Sequence, residues 1–151
     1  MRDEIRSLIR RYPPRDPNTL LPADSLPLAA TSFGQEEIEE AMESLLSGWI
    51  TMGKKVAAFE EAWADYIGVS HSIAVNSGSS ALLVMLSAMV SCGYLKRGQE
   101  VLVPALGWST SLFSLVQAGL NPVLVDVDAD SLCIEGSYDR PVLAIHLLGA
   151  P

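Results

Sequence analysis

A turn of small residues at the centre of the chain has the composition of an anion-binding site. Residues 75–82 read Val-Asn-Ser-Gly-Ser-Ser-Ala-Leu, a strand-like run that passes into a small-residue turn and opens a helix. Gly78 allows the backbone to approach a ligand closely, while Ser79 and Ser80 can cap the helix and donate N–H and hydroxyl groups. The helix dipole favours phosphate at such a turn, although a plain serine cap explains the same residues about as often.

The turn does not follow the better-known nucleotide motifs. The sequence contains neither G-x-G-x-x-G, which binds dinucleotides, nor G-x-x-x-x-G-K-[ST], the phosphate-binding loop of many nucleotide hydrolases. A cofactor that carries one phosphate group remains compatible with these residues.

A tryptophan follows the next strand-like run. Residues 101–110 read Val-Leu-Val-Pro-Ala-Leu-Gly-Trp-Ser-Thr, which predicts a strand, a loop and the start of a helix. Ligands of parallel α/β sheets bind at the carboxyl ends of the strands, so Trp108 and the turn at residues 77–80 should share that edge. An indole there could cover the face of a planar aromatic ligand. Taken alone, packing between helix and sheet is the more common role for such a residue.

Short strand-like runs alternate with longer helical runs from residue 72 onward. The strand-like runs are Ser72–Asn76, Glu100–Pro104, Pro122–Asp126 and Pro141–Leu147, and the helical runs are Ser79–Val90 and Ser109–Ala118. This alternation predicts an α/β fold with a mostly parallel sheet and right-handed crossover helices. His146 closes the last run, where a single histidine on a buried strand more often has a structural role than a catalytic one.

Three helices are predicted before residue 72. Residues 2–11 carry apolar side chains at helical spacing, and the prolines that follow predict an extended arm. Gln35–Leu46 has acidic first turns that suit the helix dipole, and Lys55–Ile67 ends at Gly68. The helix over Lys55–Ile67 presents an apolar stripe that we expect to belong to the core. The members of this stripe are Val56, Phe59, Trp63, Tyr66 and Ile67.

The composition excludes some classes of protein. The 151 residues carry a net charge of -8 with a pI near 4.6, so a nucleic-acid backbone would be repelled and nucleic acid is not expected as a partner. Cys92 and Cys133 have no CxxC spacing and no neighbouring histidine, which predicts buried free thiols and no metal site. No apolar run reaches the length of a membrane span or a leader, so the sequence predicts a cytoplasmic protein.

Several segments, in this order and at these intervals, resemble the DegT/StrS-type nucleotide-sugar aminotransferases, which are fold-type-I pyridoxal-phosphate (PLP) enzymes. The matching segments are Ser47–Gly53, Phe59–Glu60, Tyr66–Gly68, Ala74–Leu82, Gly98–Val101, Pro104–Thr110, Gly119–Asp128 and His146–Pro151. Their combination is more specific than any single segment. The resemblance implies an α/β fold that is part of a fold-type-I PLP-transferase large domain, with a mostly parallel sheet and crossover helices. Residues 1–30 would form an N-terminal helix and extended arm, and residues 31–151 the N-terminal part of the PLP-binding domain.

The resemblance also implies roles for individual residues. Gly78, Ser79 and Ser80 match the turn that binds the phosphate of pyridoxal 5'-phosphate or pyridoxamine 5'-phosphate (PMP), with backbone N–H groups of the serines as donors. Trp108 matches the aromatic residue that stacks on the pyridine ring. Thr51 lies in a loop similar to one near the active site of the family's dimer. The resemblance implies that Thr51 contacts a nucleotide-sugar substrate. It also implies that the full-length protein is a homodimer.

Two departures from the family's pattern affect the catalytic part of the site. The family's Schiff-base lysine, and an acidic residue that pairs with the pyridine nitrogen, are expected downstream of residue 151. Lys54, Lys55 and Lys96 do not match the lysine position, so no catalytic residue is assigned. The stretch of residues 128–141 is shorter than the family's helix-bearing connection and should form little more than a loop.

Three functions stay open. An aminotransferase that passes an amino group, with glutamate as donor, to a nucleotide-linked keto sugar comes first, and it would serve polysaccharide or antibiotic sugar biosynthesis. A PMP-dependent dehydratase of nucleotide-linked 4-keto-6-deoxy sugars comes second, because residues 76–80 and the arginine-bearing N-terminal helix resemble it. A non-catalytic subunit that requires a second polypeptide is the third, since the matching lysine is missing. For an enzyme of this family, the chain alone should be inactive.

Overall fold

The computed structural model describes residues 2–12 and 33–149, which contain five α-helices and two β-strands. The elements are α1 (Arg2–Arg11), α2 (Gln35–Ser47), α3 (Lys54–Ile67), α4 (Gly78–Ser91), β1 (Glu100–Pro104), α5 (Ser109–Gln117) and β2 (Asn121–Val125). The chain divides into two compact units, residues 1–72 and 73–151. The predicted proline-rich arm and the predicted boundary between residues 30 and 31 lie outside the described residues.

Helix α1 packs along α2 in the first unit through an apolar seam with charged flanks. The guanidinium of Arg6 lies 2.5 Å from the carboxylate of Glu43, and that of Arg10 lies 2.9 Å from Glu39. Exposed ion pairs add little free energy of folding, so these contacts mainly orient α1 on α2. The apolar residues at the seam are Ile5, Ile9, Met42 and Leu46.

The apolar stripe of α3 is exposed, so the prediction that it belongs to the core is wrong. Phe59, Trp63 and Tyr66 are 56%, 48% and 80% exposed, and their rings pack against one another with centroids 6.1 and 5.6 Å apart. The exception in the stripe is Val56, which is partly buried, and the only fully buried residue of the helix is Ala64. Helical periodicity correctly predicted a helix here, but it assigned the larger apolar side chains to the core. A small residue is buried instead, because it allows a neighbouring element to approach the helix closely.

The second unit is built on a parallel pair of strands. Glu100 lies opposite Asn121 and Pro104 opposite Val125, which confirms the predicted parallel pairing of β1 and β2. A further parallel bridge joins Leu102 to residue 142 on the other edge of β1, so β1 is central. The core packs around it and includes Leu86, Leu95, Val101, Val103, Leu115, Ala118 and Leu120.

Helices α4 and α5 pack together and end at the same edge of the sheet. The N–H of Gly98, which follows α4, donates to the carbonyl oxygen of Gly119, which follows α5, at 2.7 Å. Both glycines have positive φ, 74° and 79°, a conformation that a Cβ would disfavour. Because these exits lie beside the amino ends of the strands, both helices begin at the carboxyl edge.

Two of the predicted strands are not strands. Residues 72–76 form no regular element, and residues 141–147 contribute a single bridge at Val142 before a 3-10 turn at Leu147–Gly149. A β-rich run becomes a strand only where a neighbour shares its backbone hydrogen bonds along its length, and side-chain pattern does not supply that neighbour. His146, expected on a buried strand, is exposed.

The connection over residues 128–141 is a series of turns, as predicted. The carboxylate of Asp128 accepts the backbone N–H groups of Ser131 and Asp130 at 2.7 and 3.0 Å, and these hydrogen bonds lower its pKa. The guanidinium of Arg140 lies 2.7 Å from the carboxylate of Glu100. This ion pair joins the end of the connection to the start of β1.

Neither cysteine forms a disulfide within the part of the chain that the structure describes, and neither is buried, so the prediction of burial is wrong. Cys92 is exposed at the C-terminal cap of α4, and Cys133 is partly exposed in the turns after β2. The apolar neighbours of the two cysteines in sequence did not predict their burial correctly. Cys92 lies at the end of α4 and Cys133 follows β2, so neither faces the core. Within residues 2–12 and 33–149, no cluster of His, Cys, Asp and Glu could hold a metal ion, and no helix is long and apolar enough to cross a membrane.

Candidate functional site

Ser77 caps helix α4, whereas the sequence suggested Ser79 and Ser80 for that task. The Ser77 hydroxyl oxygen accepts the backbone N–H of Ser80 at 3.2 Å, and the first main-chain bond of the helix runs from Ala81 N–H to the Ser77 carbonyl at 3.0 Å. The N–H groups of Gly78 and Ser79 therefore have no acceptor among the described residues, as expected for the first positions of a helix.

The donors at this turn fit a phosphate monoester. The turn offers the N–H groups of Gly78 and Ser79, the Ser79 hydroxyl and the positive end of the α4 dipole, and the first turn of α4 carries no acidic residue. A Cβ built on Gly78 meets nothing within 4 Å, so the space beside the turn is open. Ser80 differs from the other predicted donors because its N–H already bonds to Ser77.

Trp108 lies directly before α5 and is 82% exposed, so it does not fill a gap between helix and sheet. The loop that carries it is fixed at both ends. The N–H of Ala105 donates to the Val125 carbonyl at 2.8 Å, and a Cβ on Gly107 would lie 2.9 Å from Ile145 Cδ1. An exposed indole on such a loop is available to cover a planar ring.

The phosphate turn and Trp108 both belong to the carboxyl edge of the second unit, because α4 and α5 begin there. Lys96 follows the opposite end of α4, a helix of 14 residues. At 1.5 Å per residue that helix is about 21 Å long. The amine of Lys96 is therefore not positioned to react with a ligand bound at Ser79.

Thr51 lies in a loop of the first unit that is organised around an indole. The Nε1–H of Trp49 donates to the carbonyl oxygen of Met52 at 3.0 Å, and a Cβ on Gly53 would lie 2.3 Å from that same nitrogen. Glycine is required at residue 53 because the ring occupies the space that any side chain would need. Helix α3 begins directly after it.

Thr51 and Trp49 line an open cavity of about 620 Å³, which we call the Trp49 cavity. It lies in the first unit, between the last turns of α2 and the first turn of α3. Its charged lining residues are Glu43, Lys54 and Lys55, and its apolar ones include Ile50 and Val56. A cavity of this size with a few charged groups on a largely apolar wall has the character of a ligand pocket.

The structure brings the predicted residues Gly78, Ser79, Ser80 and Trp108 to one edge of the second unit, and it places Thr51 in the first unit. The roles of these residues toward cofactor and substrate stay predictions.

Two features of these sites were not predicted from the sequence. The cap formed by Ser77 could have been found, because serine strongly prefers the position before the first helical residue. The pair of Arg6 and Glu43, which places a neutralised carboxylate at the Trp49 cavity, joins residues 37 apart. No local pattern signals it.

The sequence profile of the DegT/DnrJ/EryC1/StrS aminotransferase family matches residues 31–138. A curated relative, the GDP-4-keto-6-deoxy-D-mannose 3-dehydratase of Yersinia pseudotuberculosis, is 36% identical over 137 residues. That alignment covers 84% of this chain and 35% of the relative.

Solved structures with the same fold include enzymes of two activities. The E. coli GDP-4-keto-6-deoxy-D-mannose-3-dehydratase with bound hydrated PLP has a TM-score of 0.72 and 32% identity over 80% of this chain and 33% of its own. A protein described as a sugar aminotransferase, Spr1654 from Streptococcus pneumoniae in its PMP form, has a TM-score of 0.60 and 28% identity over 73% of this chain and 27% of its own. The chain spans about a third of the length of these proteins. The prediction of a partial fold-type-I domain is confirmed.

Proposed function

Because the chain belongs to the DegT/DnrJ/EryC1/StrS aminotransferase family, we propose that it binds the phosphate and covers the ring of PLP or PMP in an enzyme of nucleotide-linked keto sugars. The observation that carries the cofactor part is the turn at the start of α4. There Ser77 satisfies the Ser80 N–H and leaves the donors of Gly78 and Ser79 for a ligand.

The described residues would act as binding and orienting groups. The N–H groups of Gly78 and Ser79 and the Ser79 hydroxyl bind the phosphate, and the indole of Trp108 lies over one face of the ring and excludes water from it. When bound, the cofactor supplies an electron-withdrawing ring and carries the amine. We assign no covalent step to Lys96, the one lysine of residues 73–151, because it lies beyond the far end of α4.

Sequence identity orders the two candidate activities. The dehydratases are 36% and 32% identical to the chain, and the sugar aminotransferase is 28% identical. We therefore place dehydration of a GDP-linked 4-keto-6-deoxy sugar first and amination of a nucleotide-linked keto sugar second, which reverses the order that the sequence alone suggested. The activity, the substrate and a homodimeric assembly are proposals for the complete enzyme. A cytoplasmic location and the absence of nucleic-acid and membrane partners stay predictions.

The Ser79→Asp substitution tests the phosphate turn. A carboxylate in the first turn should leave α4 as stable as before or stabilise it by ~0.3–1 kcal/mol, because it lies at the positive end of the helix dipole. The same carboxylate should repel the cofactor phosphate and raise the Kd for PLP by about tenfold or more. Binding is followed by PLP absorbance during equilibrium dialysis, and stability by circular dichroism in urea.

Ser91→Asp, on an exposed residue at the other end of α4, is the matched control and should leave PLP affinity unchanged. If the two aspartate variants bind PLP equally well, the phosphate does not lie at the α4 turn. Loss of affinity together with loss of folded structure in Ser79→Asp would also contradict the assignment.

Two further measurements separate the candidate functions. We propose that the 151-residue chain alone performs no turnover and forms no imine between bound PLP and one specific lysine, so borohydride should attach no more PLP to it than to the Ser79→Asp variant, as measured by mass spectrometry. Additional covalent trapping in the parent chain would overturn this. With the complete enzyme, ¹⁵N-glutamate and a GDP-4-keto-6-deoxy sugar, an aminotransferase leaves ¹⁵N on the sugar. A PMP-dependent dehydratase leaves a sugar that lacks one oxygen atom and carries no label, because glutamate supplies two electrons through the cofactor and the ¹⁵N is released as ammonium.

A further inference from the structure

One carboxylate in the wall of the Trp49 cavity is held by an arginine from a distant part of the chain. Glu43 lines the cavity from α2, and the guanidinium of Arg6, on α1, lies 2.5 Å from its carboxylate. Arg6 does not line the cavity. It therefore affects whatever binds there through Glu43.

Among the described residues, the other charges of the cavity leave it with one cation that forms no ion pair. Lys55 donates to the carboxylate and the carbonyl oxygen of Glu40, at 2.6 and 2.9 Å, so its charge is neutralised. Lys54 forms no ion pair with any residue in the described part of the chain. With Glu43 paired to Arg6, the wall carries a net positive charge, and without Arg6 the charges of Glu43 and Lys54 would cancel.

The cavity also has a fixed aromatic wall. The indole of Trp49 is held by its hydrogen bond to Met52 and by contact with the Gly53 backbone, so a planar ligand group would meet a preorganised ring. A volume of about 620 Å³ lies within the range of ligand pockets. An aromatic ring system that carries negative charge is the ligand chemistry that suits an indole beside an unpaired ammonium group.

We propose that Arg6 sets the charge selectivity of the Trp49 cavity: by neutralising Glu43, it allows the cavity to accept the nucleoside diphosphate part of the substrate. The proposal rests on the proposed function for the nucleotide-linked substrate, and it adds a positioning residue outside the matched segment 31–138. Arg6 acts on the ligand only through the carboxylate that it holds.

Helix α1 supplies its own matched control. Arg10 pairs with Glu39 at 2.9 Å on the same two helices, but Glu39 does not line the Trp49 cavity. Arg6→Gln removes the ion pair with Glu43 and a longer contact with Glu39 at 3.8 Å, whereas Arg10→Gln removes only the pair with Glu39. Only Arg6→Gln leaves an unpaired carboxylate at the cavity.

The test measures binding of GDP and of uncharged guanosine to the full chain by isothermal titration calorimetry. Arg6→Gln should weaken GDP binding about three- to tenfold, because an uncompensated carboxylate faces the diphosphate, and it should leave guanosine binding within about twofold. Arg10→Gln should leave both unchanged. The Arg6→Gln/Glu43→Gln double variant should regain the GDP affinity of the parent chain, which a merely structural role of Arg6 would not predict.

Three outcomes would overturn the proposal: equal effects of the two arginine variants, no rescue by Glu43→Gln, or no GDP binding by the parent chain. Inorganic pyrophosphate serves as a third probe, and if it alone shows the Arg6 dependence, the cavity binds a phosphate group without the nucleoside. PLP titration of the same samples reports on the α4 turn separately. Failure of the cofactor assignment is thus distinguishable from failure of this one.

Discussion

The hydroxyl oxygen of Ser77 accepts the backbone N–H of Ser80 at 3.2 Å, and this contact separates the cap of α4 from its candidate phosphate donors. Ser79, between them in sequence, is exposed and keeps its own N–H and hydroxyl available. Ser77 thus caps the helix, and Ser79 leaves its donors open, so substitutions can distinguish capping from the proposed phosphate binding.

The Ser77→Ala variant should lower the free energy of unfolding by about 1 kcal/mol, because α4 loses its side-chain cap. Urea unfolding followed by circular dichroism measures the change. Ser91→Ala, at the exposed C-terminal end of the same helix, is the control and should change stability by less than ~0.5 kcal/mol. Equal effects of the two substitutions would contradict the capping role.

The Trp108→Ala variant should weaken PLP binding about two- to tenfold, which corresponds to the ~0.5–1.5 kcal/mol of an aromatic pair. Its stability should stay within ~0.5 kcal/mol of the parent, since the indole is 82% exposed and supports no core contact. Trp108→Phe should retain most of the affinity. If phenylalanine and alanine weaken binding equally, the ring does not stack on the cofactor.

The Gly53→Ala variant should displace the Trp49 indole, because the new Cβ would lie 2.3 Å from Nε1 and 2.8 Å from Cδ1. Loss of the Trp49 hydrogen bond to Met52 should appear as a shifted indole N–H resonance and faster exchange of that proton. Gly34→Ala is the matched control, because its Cβ would meet only the Glu37 carboxylate at 3.6 Å. An unshifted indole signal in Gly53→Ala would contradict the packing.

The contact between α1 and α2 should weaken in acid. The hydrogen bond from Arg10, together with the charges of Arg10 and Arg6, lowers the pKa of Glu39 below its ordinary value. A carboxyl group whose pKa is lowered in the folded state stabilises that state at any pH above its pKa in the unfolded chain, which is about 4.3. This stabilisation is lost as the pH falls through the lower pKa of the folded state.

Hydrogen exchange of the α1 amides between about pH 6 and pH 3 measures this effect, after correction for the intrinsic exchange rate. Protection should fall over the acidic end of that range in the parent chain. Glu39→Gln should have lower protection at pH 6 and little further change. Glu36→Gln, which removes a carboxylate from the same helix without touching an ion pair to α1, should behave like the parent.

The sequence by itself determined the helices, the parallel pairing of Glu100–Pro104 with the strand after α5, and the family. Periodicity, capping residues and strand composition act over a few neighbouring residues, and the order of segments is a property of the sequence. The donors of Ser79 were likewise visible, because a helix start is a local structure, whereas the sequence named Ser80 as the second donor and gave Gly78 only the close approach of the backbone.

Tertiary structure alone decided which faces are buried and which charges meet. The aromatic face of α3 looked like core, yet Ala64 is the buried residue, since packing depends on what lies opposite a face. Residues 72–76 had strand composition but form no strand, because a ladder requires a partner. The pairing of Arg6 with Glu43 arises only when α1 lies on α2, so the charge of the Trp49 cavity is set by contacts between residues far apart in the chain.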